Sequence, residues 1–397
     1  MYMNEQAISA RLDLLLSESL DSARQRQQQT LFDAMGDARK PFVLFGAGNL
    51  GKKVAAVLLK MGMVPEAFID NNASLWGTSI LGIEVLSPAQ LAARESRELP
   101  AIIVTIWCGE ATDTMVERLA PLRALGFDRI APFGYLAWRF PEEFLPYYSL
   151  DLPEKVLKQA GQIRQAFELL ADDASRQLFV DHVEWRLTFD YDLLPPASTT
   201  EMYFDDQFAN RNDNEVVYDI GAFDGDSIHG FIRSGRQYRE IHSFEPSARN
   251  FLKLEATLAS LADKHSGLHA HALAVGDSTG EILIEDASGA ACRVGMGSET
   301  VQMTTLDELS KKIAPATFIK IDIEGFEPQC LAGGRQLISE LHPVLAVCVY
   351  HLQDHLWSIL LQLHEYHEGY QFSLCQHLAG GWDLVLYAVP ADRVLPH

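Results

Sequence analysis

The chain has 397 residues, 48% of them hydrophobic, and carries 54 acidic against 32 basic side chains for a net charge of −22. That length exceeds one ordinary core and calls for two domains with a connection, and the hydrophobic content excludes a disordered chain. The negative field disfavours nucleic acid and anionic membrane surfaces, so neither is expected as a partner.

Residues 1–38 are expected to form an N-terminal helix. Over residues 4–35, Ile8, Leu12, Leu15, Leu16 and Leu20 recur every three to four positions, a packing face or a stripe that pairs two subunits in a homo-oligomer. Residues 39–145 read as a small Rossmann-like domain. Phe42–Phe45 is a short apolar strand, followed by VLFGAGNLG, which sets Gly46, Gly48 and Gly51 in G-x-G-x-x-G spacing, and by a helix through Val54, Leu58 and Leu59. The next strand, Pro65–Asp70, ends in Asp70, where an acid commonly receives ribose hydroxyls. Ser87-Pro88 caps a helix, and Ile102–Ile106 is another buried strand.

Residues 146–200 are expected to be a helical linker. Leu152, Val156, Ile163, Phe167, Leu170, Phe179, Val183 and Leu187 predict two helices. Tyr203-Phe204-Asp205 is an aromatic entrance to the second domain, lining a pocket or packing domains together. Residues 201–397 form this second doubly wound domain. Its expected strands are Val216–Ile220, Ile241–Glu245, Ala270–Val275, Phe318–Asp322 and Leu345–Tyr350, with a terminal antiparallel pair, Phe372–Gln376 and Leu384–Ala388. Thr305 to Glu308 reads as a capping box.

The chemistry concentrates in the second domain. VVYDIGAFDGD has Asp219, Gly221 and Gly225, an acid followed by two glycines four apart; this spacing differs from the first turn and suggests a different ligand. For S-adenosylmethionine, such a turn contacts the methionyl part. Glu245, one βα unit later in HSFEP, accepts from both ribose hydroxyls. Asp277 in ALAVGDSTG either meets an adenine amino group or caps its own turn. In FIKIDIEGFE, alternation sets Lys320, Asp322 and Glu324 opposite the isoleucines; the two acids read as pocket residues and Lys320 as a carboxylate's partner. His351 follows an apolar strand and is expected to be neutral near pH 7, taking a proton from an alcohol, or else to be a satisfied structural histidine. His355 reads as a surface helix residue and His377 as a weaker pocket candidate. Asp322, Glu324 and His351 are suitable oxygen and nitrogen ligands for a divalent ion, but no short-range metal signature supports one and no metal is expected. The five cysteines, Cys108, Cys292, Cys330, Cys348 and Cys375, form no CxxC pair, and Cys348 reads as a small buried hydrophobe. No leader and no run of about 20 apolar residues is evident, so no membrane span and a cytoplasmic location are expected.

VVYDIGAFDGD, HSFEP, ALAVGDSTGE, MTTLDEL, FIKIDIEGFE and HPVLAVCVYH together resemble the FkbM family of S-adenosylmethionine-dependent methyltransferases, over about half of the chain. The resemblance implies a seven-stranded class I methyltransferase fold and methyl transfer to a hydroxyl of a sugar, glycan or natural-product intermediate. The family's glycine motif carries over to Asp219, Gly221 and Gly225 with Ala222 and Phe223 between them, and its ribose-binding acid to Glu245. Its KxDxEG block falls on Lys320, Asp322, Glu324 and Gly325, and a Tyr-His pair on Tyr350 and His351. His351, or the Asp322/Glu324 pair, would then remove the acceptor's proton, and the activated sulfonium requires no metal. The first domain resembles the nucleotide-sugar-binding domains that precede sugar acyltransferases, through VLFGAGNLG, AFIDNN and GIEVLSP. That implies a nucleotide sugar near Gly46, Gly48, Gly51 and Asp70, with a small-molecule or saccharide acceptor for the enzyme. The alternatives are a non-catalytic sugar-binding or scaffold protein, and an NAD-dependent oxidoreductase using the first domain.

Overall fold

The computed structural model describes residues 4–36, 41–94, 98–106, 114–286, 292–294 and 297–394; Cys108 lies outside them. Residues 4–35 form two helices rather than one, Glu5–Leu16 and Leu20–Met35. Serines cause the break: Ser17 Oγ bonds back to Leu14 O, and Ser19 accepts from Ser22 N as the second helix's N-cap. The apolar stripe packs within the chain itself. Ile8, Leu12 and Leu16 join a core with Val183 and Leu187, and Arg11 anchors the helix to Asp181 at 2.6 Å and to Glu184.

The first sheet comprises β1 (Phe42–Phe45), β2 (Phe68–Ile69), β3 (Ser79–Ile80), β4 (Ile83–Leu86), β5 (Ala101–Val104) and β6 (Ile130–Pro132) in the order β3-β4-β2-β1-β5-β6. All pairs are parallel except β3 with β4. Ser87 and Gln90 cap the helix after β4 reciprocally, as a capping box. The connection holds three helices where two were expected: Pro153–Lys158, Ala160–Glu168 and Asp173–Thr188. They are separated at Gln159 and between residues 168 and 173, where Asp172 caps the last helix and its side chain takes Ser175 N.

The second large sheet begins with β7 (Glu215–Ile220), β8 (Tyr238–Phe244) and β9 (Leu268–His271). The chain then builds a small separate sheet from β10 (Ala274–Val275), β11 (Gly280–Asp286), β12 (Cys292–Val294) and β13 (Glu299–Thr304). It returns as β14 (Phe318–Ile321), β15 (Val344–Cys348), β16 (Tyr370–Gln376) and β17 (Leu384–Pro390). The large sheet runs β16-β17-β15-β14-β7-β8-β9, with β17 antiparallel to both neighbours and the rest parallel. This is the seven-stranded class I methyltransferase sheet. The expected single strand Ala270–Val275 splits because Leu273 N donates back to His271 O at 2.9 Å, a turn that sends the two halves to different sheets. Thr305 accepts from Glu308 N as half of the expected box, while Glu308 instead pairs with Lys311. Cys348 is fully buried. Among the described residues no helix is long and apolar enough to cross a membrane.

Candidate functional site

β7 lies between β8 and β14, so the strand order reverses there and the loops at its C-terminal edge part to leave a crevice. Gly221 ends β7 at φ +79°, and a Cβ there would sit 1.9 Å from Asp322 O. Only glycine lets this turn lie against the end of β14. Ala222 N donates to Phe244 O, and Gly225 forms the N-cap of the helix Asp226–Arg233. Asp219 is buried below the turn, accepting from Ser227 Oγ at 2.6 Å and lying 3.1 Å from Lys320 Nζ. Lys320 also donates to Gly221 O. Burial alone would depress this ammonium, but Asp219, Asp322 and Asp226 raise it, so it stays charged and fixes β14 to the glycine turn.

Glu245 follows β8 and is 4% exposed. Its Oε2 accepts from Phe223 N at 3.0 Å and its Oε1 from Ser247 N at 2.9 Å, which leaves a lone pair on each oxygen. Burial pushes this carboxyl up to about 7, against those two hydrogen bonds. Glu245, Phe223 and Gly221 line one cavity with Asp226, Asp322 and Glu324. Asp277 is not among the residues lining this cavity; it is exposed and accepts from Ser278 Oγ.

At the far side of the cavity the carboxylates meet His351, which is 2% exposed. Its Nδ1 lies 2.8 Å from Glu327 Oε1 and its Nε2 3.3 Å from Asp322 Oδ1, with Glu324 Oε2 at 4.0 Å. Burial alone would lower this imidazole, but Glu327, Asp322 and Glu324 outweigh it and push it up to about 10. The ring is therefore an imidazolium at neutral pH, which corrects the expectation of a neutral base. Asp322, Glu327 and His351 each place a ligand atom within 4.8 Å of the others. Glu327 was not singled out from the sequence. It sits in the first turn of the helix Glu327–Ala332, fully buried, and also meets His355 Nδ1 at 3.2 Å and Ile323 N at 2.9 Å. His355 is thus a buried partner of Glu327 rather than a surface residue. His377 pairs with Tyr387 Oη at 3.0 Å.

Glu324 adopts φ +58°; burial raises its carboxyl, opposed by His351 and a Tyr148 hydrogen bond and assisted by Asp322 and Glu327. Four more non-glycine residues of this region hold left-handed backbones: Tyr148, Tyr203, Phe223 and Asp383. Such strain persists where surrounding structure enforces it, commonly at functional sites. Tyr203, from the aromatic entrance, donates to Asp322 Oδ2 at 2.9 Å. Asp383, beside Tyr350, is pushed up to about 7 by burial and then by Asp322. Tyr148 from the connection packs edge-on to Trp382 at 4.6 Å and lies 6.2 Å from the His351 ring. Neither Asp383 nor Tyr148 carried a local sequence signal; both reach the site through tertiary folding.

The cavity's donor set fits S-adenosylmethionine. Glu245 presents lone pairs for paired hydroxyls, and the acidic lining suits a ligand with a sulfonium and an ammonium group. In the first domain, Gly46 has φ +114° and packs against Thr105 and Ile106; Gly48 caps the next helix, and Gly51 lies in that helix's first turn. Asp70 Oδ2 accepts from Ala47 N at 2.7 Å and Oδ1 from Asn72 N at 2.8 Å.

Residues 219–378 match the family model described as the methyltransferase FkbM domain. The fold is similar to that of the methyltransferase FkbM from Methylobacillus flagellatus KT, with a TM-score of 0.75 and 21% identity over 96% of this chain and 98% of that one. An rRNA methylase from Streptococcus thermophilus aligns at TM-score 0.29 and 12% identity, over 48% of this chain and 92% of its own. Aeropyrum pernix fibrillarin aligns at 0.29 and 12%, over 45% and 67%. No curated protein matches the chain. All the residues that line the cavity except Tyr203 lie within the matched segment, and over residues 219–378 the chain carries an S-adenosylmethionine-dependent methyltransferase domain of the FkbM family.

Proposed function

We propose that the protein is an O-methyltransferase acting on a hydroxyl of a saccharide-like acceptor, with Glu324 accepting the proton. Glu324 carries this reading, because it lines the cavity and stands farthest from the His351 ring, at 4.0 Å, whereas Asp322 lies 3.3 Å from the ring and is bonded to Tyr203, and Glu327 lies 2.8 Å from it and is paired with His355. S-adenosylmethionine supplies an electrophilic methyl group on a sulfonium. Glu245 would accept hydrogen bonds from its ribose, and Asp226 and Asp322 favour its positive charge. Glu324 takes the proton of the attacking hydroxyl, and its raised pKa brings it nearer to neutral working pH. The imidazolium of His351 moves no proton in this scheme; it balances Asp322 and Glu327 and keeps their oxygens in place. Tyr148 and Trp382 offer aromatic faces beside carboxylates, a combination suited to the C–H faces and hydroxyls of a sugar.

A nucleotide sugar at the first domain belongs to the same proposal. Asp70 takes the Ala47 N–H as Glu245 takes the Phe223 N–H, so the two turn-and-acid pairs share one construction. The test is calorimetric titration with S-adenosylmethionine alongside transfer of labelled methyl to nucleotide sugars and free glycosides. Glu245→Ala is expected to abolish saturable binding. Glu324→Gln is expected to keep binding and lose about 10²–10⁴-fold in transfer rate. Transfer unchanged in Glu324→Gln overturns the assignment of the base, and transfer to none of these hydroxyl acceptors by cofactor-binding wild type overturns the acceptor class.

A further inference from the structure

We propose that the outer edge of the large sheet carries a site for a borderline divalent cation such as zinc, formed by Glu240, His242 and His269 and lying outside the methyl-transfer cavity. Glu240 and His242 are two apart on β8 and so share one face, and His269 on the edge strand β9 is the direct cross-strand partner of His242. One ligand atom from each of the three lies within 4.8 Å of the others. His242 Nε2 is already 3.0 Å from Glu240 Oε2, close to the about 3.3 Å separation of ligand atoms around a tetrahedral zinc with bonds of ~2.0–2.1 Å. Rotation of the exposed His269 closes the remaining gap.

The second ring nitrogen of His242 supplies an independent observation. The residue is 4% exposed, and its Nδ1 is 3.0 Å from His271 Nε2. A histidine that ligates a metal through one nitrogen characteristically donates its other N–H to a fixed acceptor, and His271, held by stacking on Phe244 at 4.6 Å, is placed to be that acceptor. With the proton on Nδ1, the bare Nε2 of His242 faces a carboxylate oxygen. A cation between them, or a proton on Nε2, would bridge that 3.0 Å contact, and the zinc titration separates the two. His269 stacks on His242 at 4.7 Å, beside the same contact. The mixed imidazole and carboxylate set selects zinc, nickel or cobalt over magnesium and calcium. The exposed side of His269 is the entry path, and three protein ligands leave a fourth position open.

The experiment is calorimetric titration of the chelator-treated full chain with zinc chloride, followed by X-ray absorption at the zinc edge. Saturable binding of one equivalent is expected, with a nitrogen and oxygen shell. His269→Ala, a surface change that leaves the sheet intact, is expected to weaken zinc about tenfold or more, and His271→Ala about 10–100-fold. His229→Ala, an exposed histidine outside the cluster, is expected to leave the affinity unchanged. No saturable zinc binding by wild type, or equal affinity in wild type and His269→Ala, overturns the proposal.

Discussion

Glu327 and His351 are two buried charges whose partners decide what each can do. Burial would raise Glu327, but His351 and His355 hold it far below the ordinary carboxylate range. His351 moves the opposite way, up to about 10 from an ordinary 6.5. A histidine raised in the folded state contributes stability that is fully present below pH 6.5 and lost as pH rises through about 10. Thermal midpoints should therefore fall between pH 7 and pH 10. His351→Gln should begin from a lower midpoint and show a flatter dependence over that range, since breaking a buried pair costs about 3–5 kcal/mol. Equal slopes in the two proteins would show that the pair does not titrate as described. Lys320 was legible from sequence, because a charge in the middle of a covered strand needs a partner, and Asp219 is that partner. Glu327 was not, because an acid in the first turn of a helix has an ordinary place there and its two histidines come from beyond the next strand.

At the scale of elements, the turn after β7 is the part most exposed to substitution. Gly221→Ala places a Cβ at 1.9 Å from a backbone oxygen, so no rotamer relieves it, and φ +79° adds strain of about 1–3 kcal/mol. We expect a melting point several degrees lower and cofactor binding weakened at least tenfold, read by calorimetry and thermal melts; unchanged values would mean that the turn moves freely against β14. Strand existence and order followed from apolar runs and glycine turns. Three breaks did not: the serines at 17–19, the extra break in the connection and the turn at 271–273 hang on local hydrogen bonds that hydrophobic spacing does not register. Periodicity reports which face is buried, not where a backbone donor finds a nearer acceptor.

Over the whole molecule, one core runs through elements that the sequence assigns to separate segments. Ile8 and Leu12 of the first helix, Val156, Phe167 and Phe179 of the connection, and Phe318, Ile359 and Phe372 of the methyltransferase domain form a single cluster. Arg186, fully buried, donates to Gln353 O at 3.1 Å, and Ser149 Oγ to Tyr350 O at 2.6 Å, tying the connection to the loop that carries His351. A fragment of residues 201–397 would expose the apolar surface these helices cover. It should aggregate or bind a hydrophobic dye without a cooperative melt; a monomeric fragment with a sharp transition would show that the helices are an accessory layer.

The sequence by itself determined the two glycine turns, the acids at strand ends and the alternation of the sheets, because each depends on residues close together in the chain. It thereby carried the fold class and the cofactor. Tertiary structure alone decided the charge of His351 and brought Glu327, Asp383 and Tyr148 around it. Burial and charge pairing are properties of groups far apart in sequence, and a pKa is set by the neighbours that folding supplies.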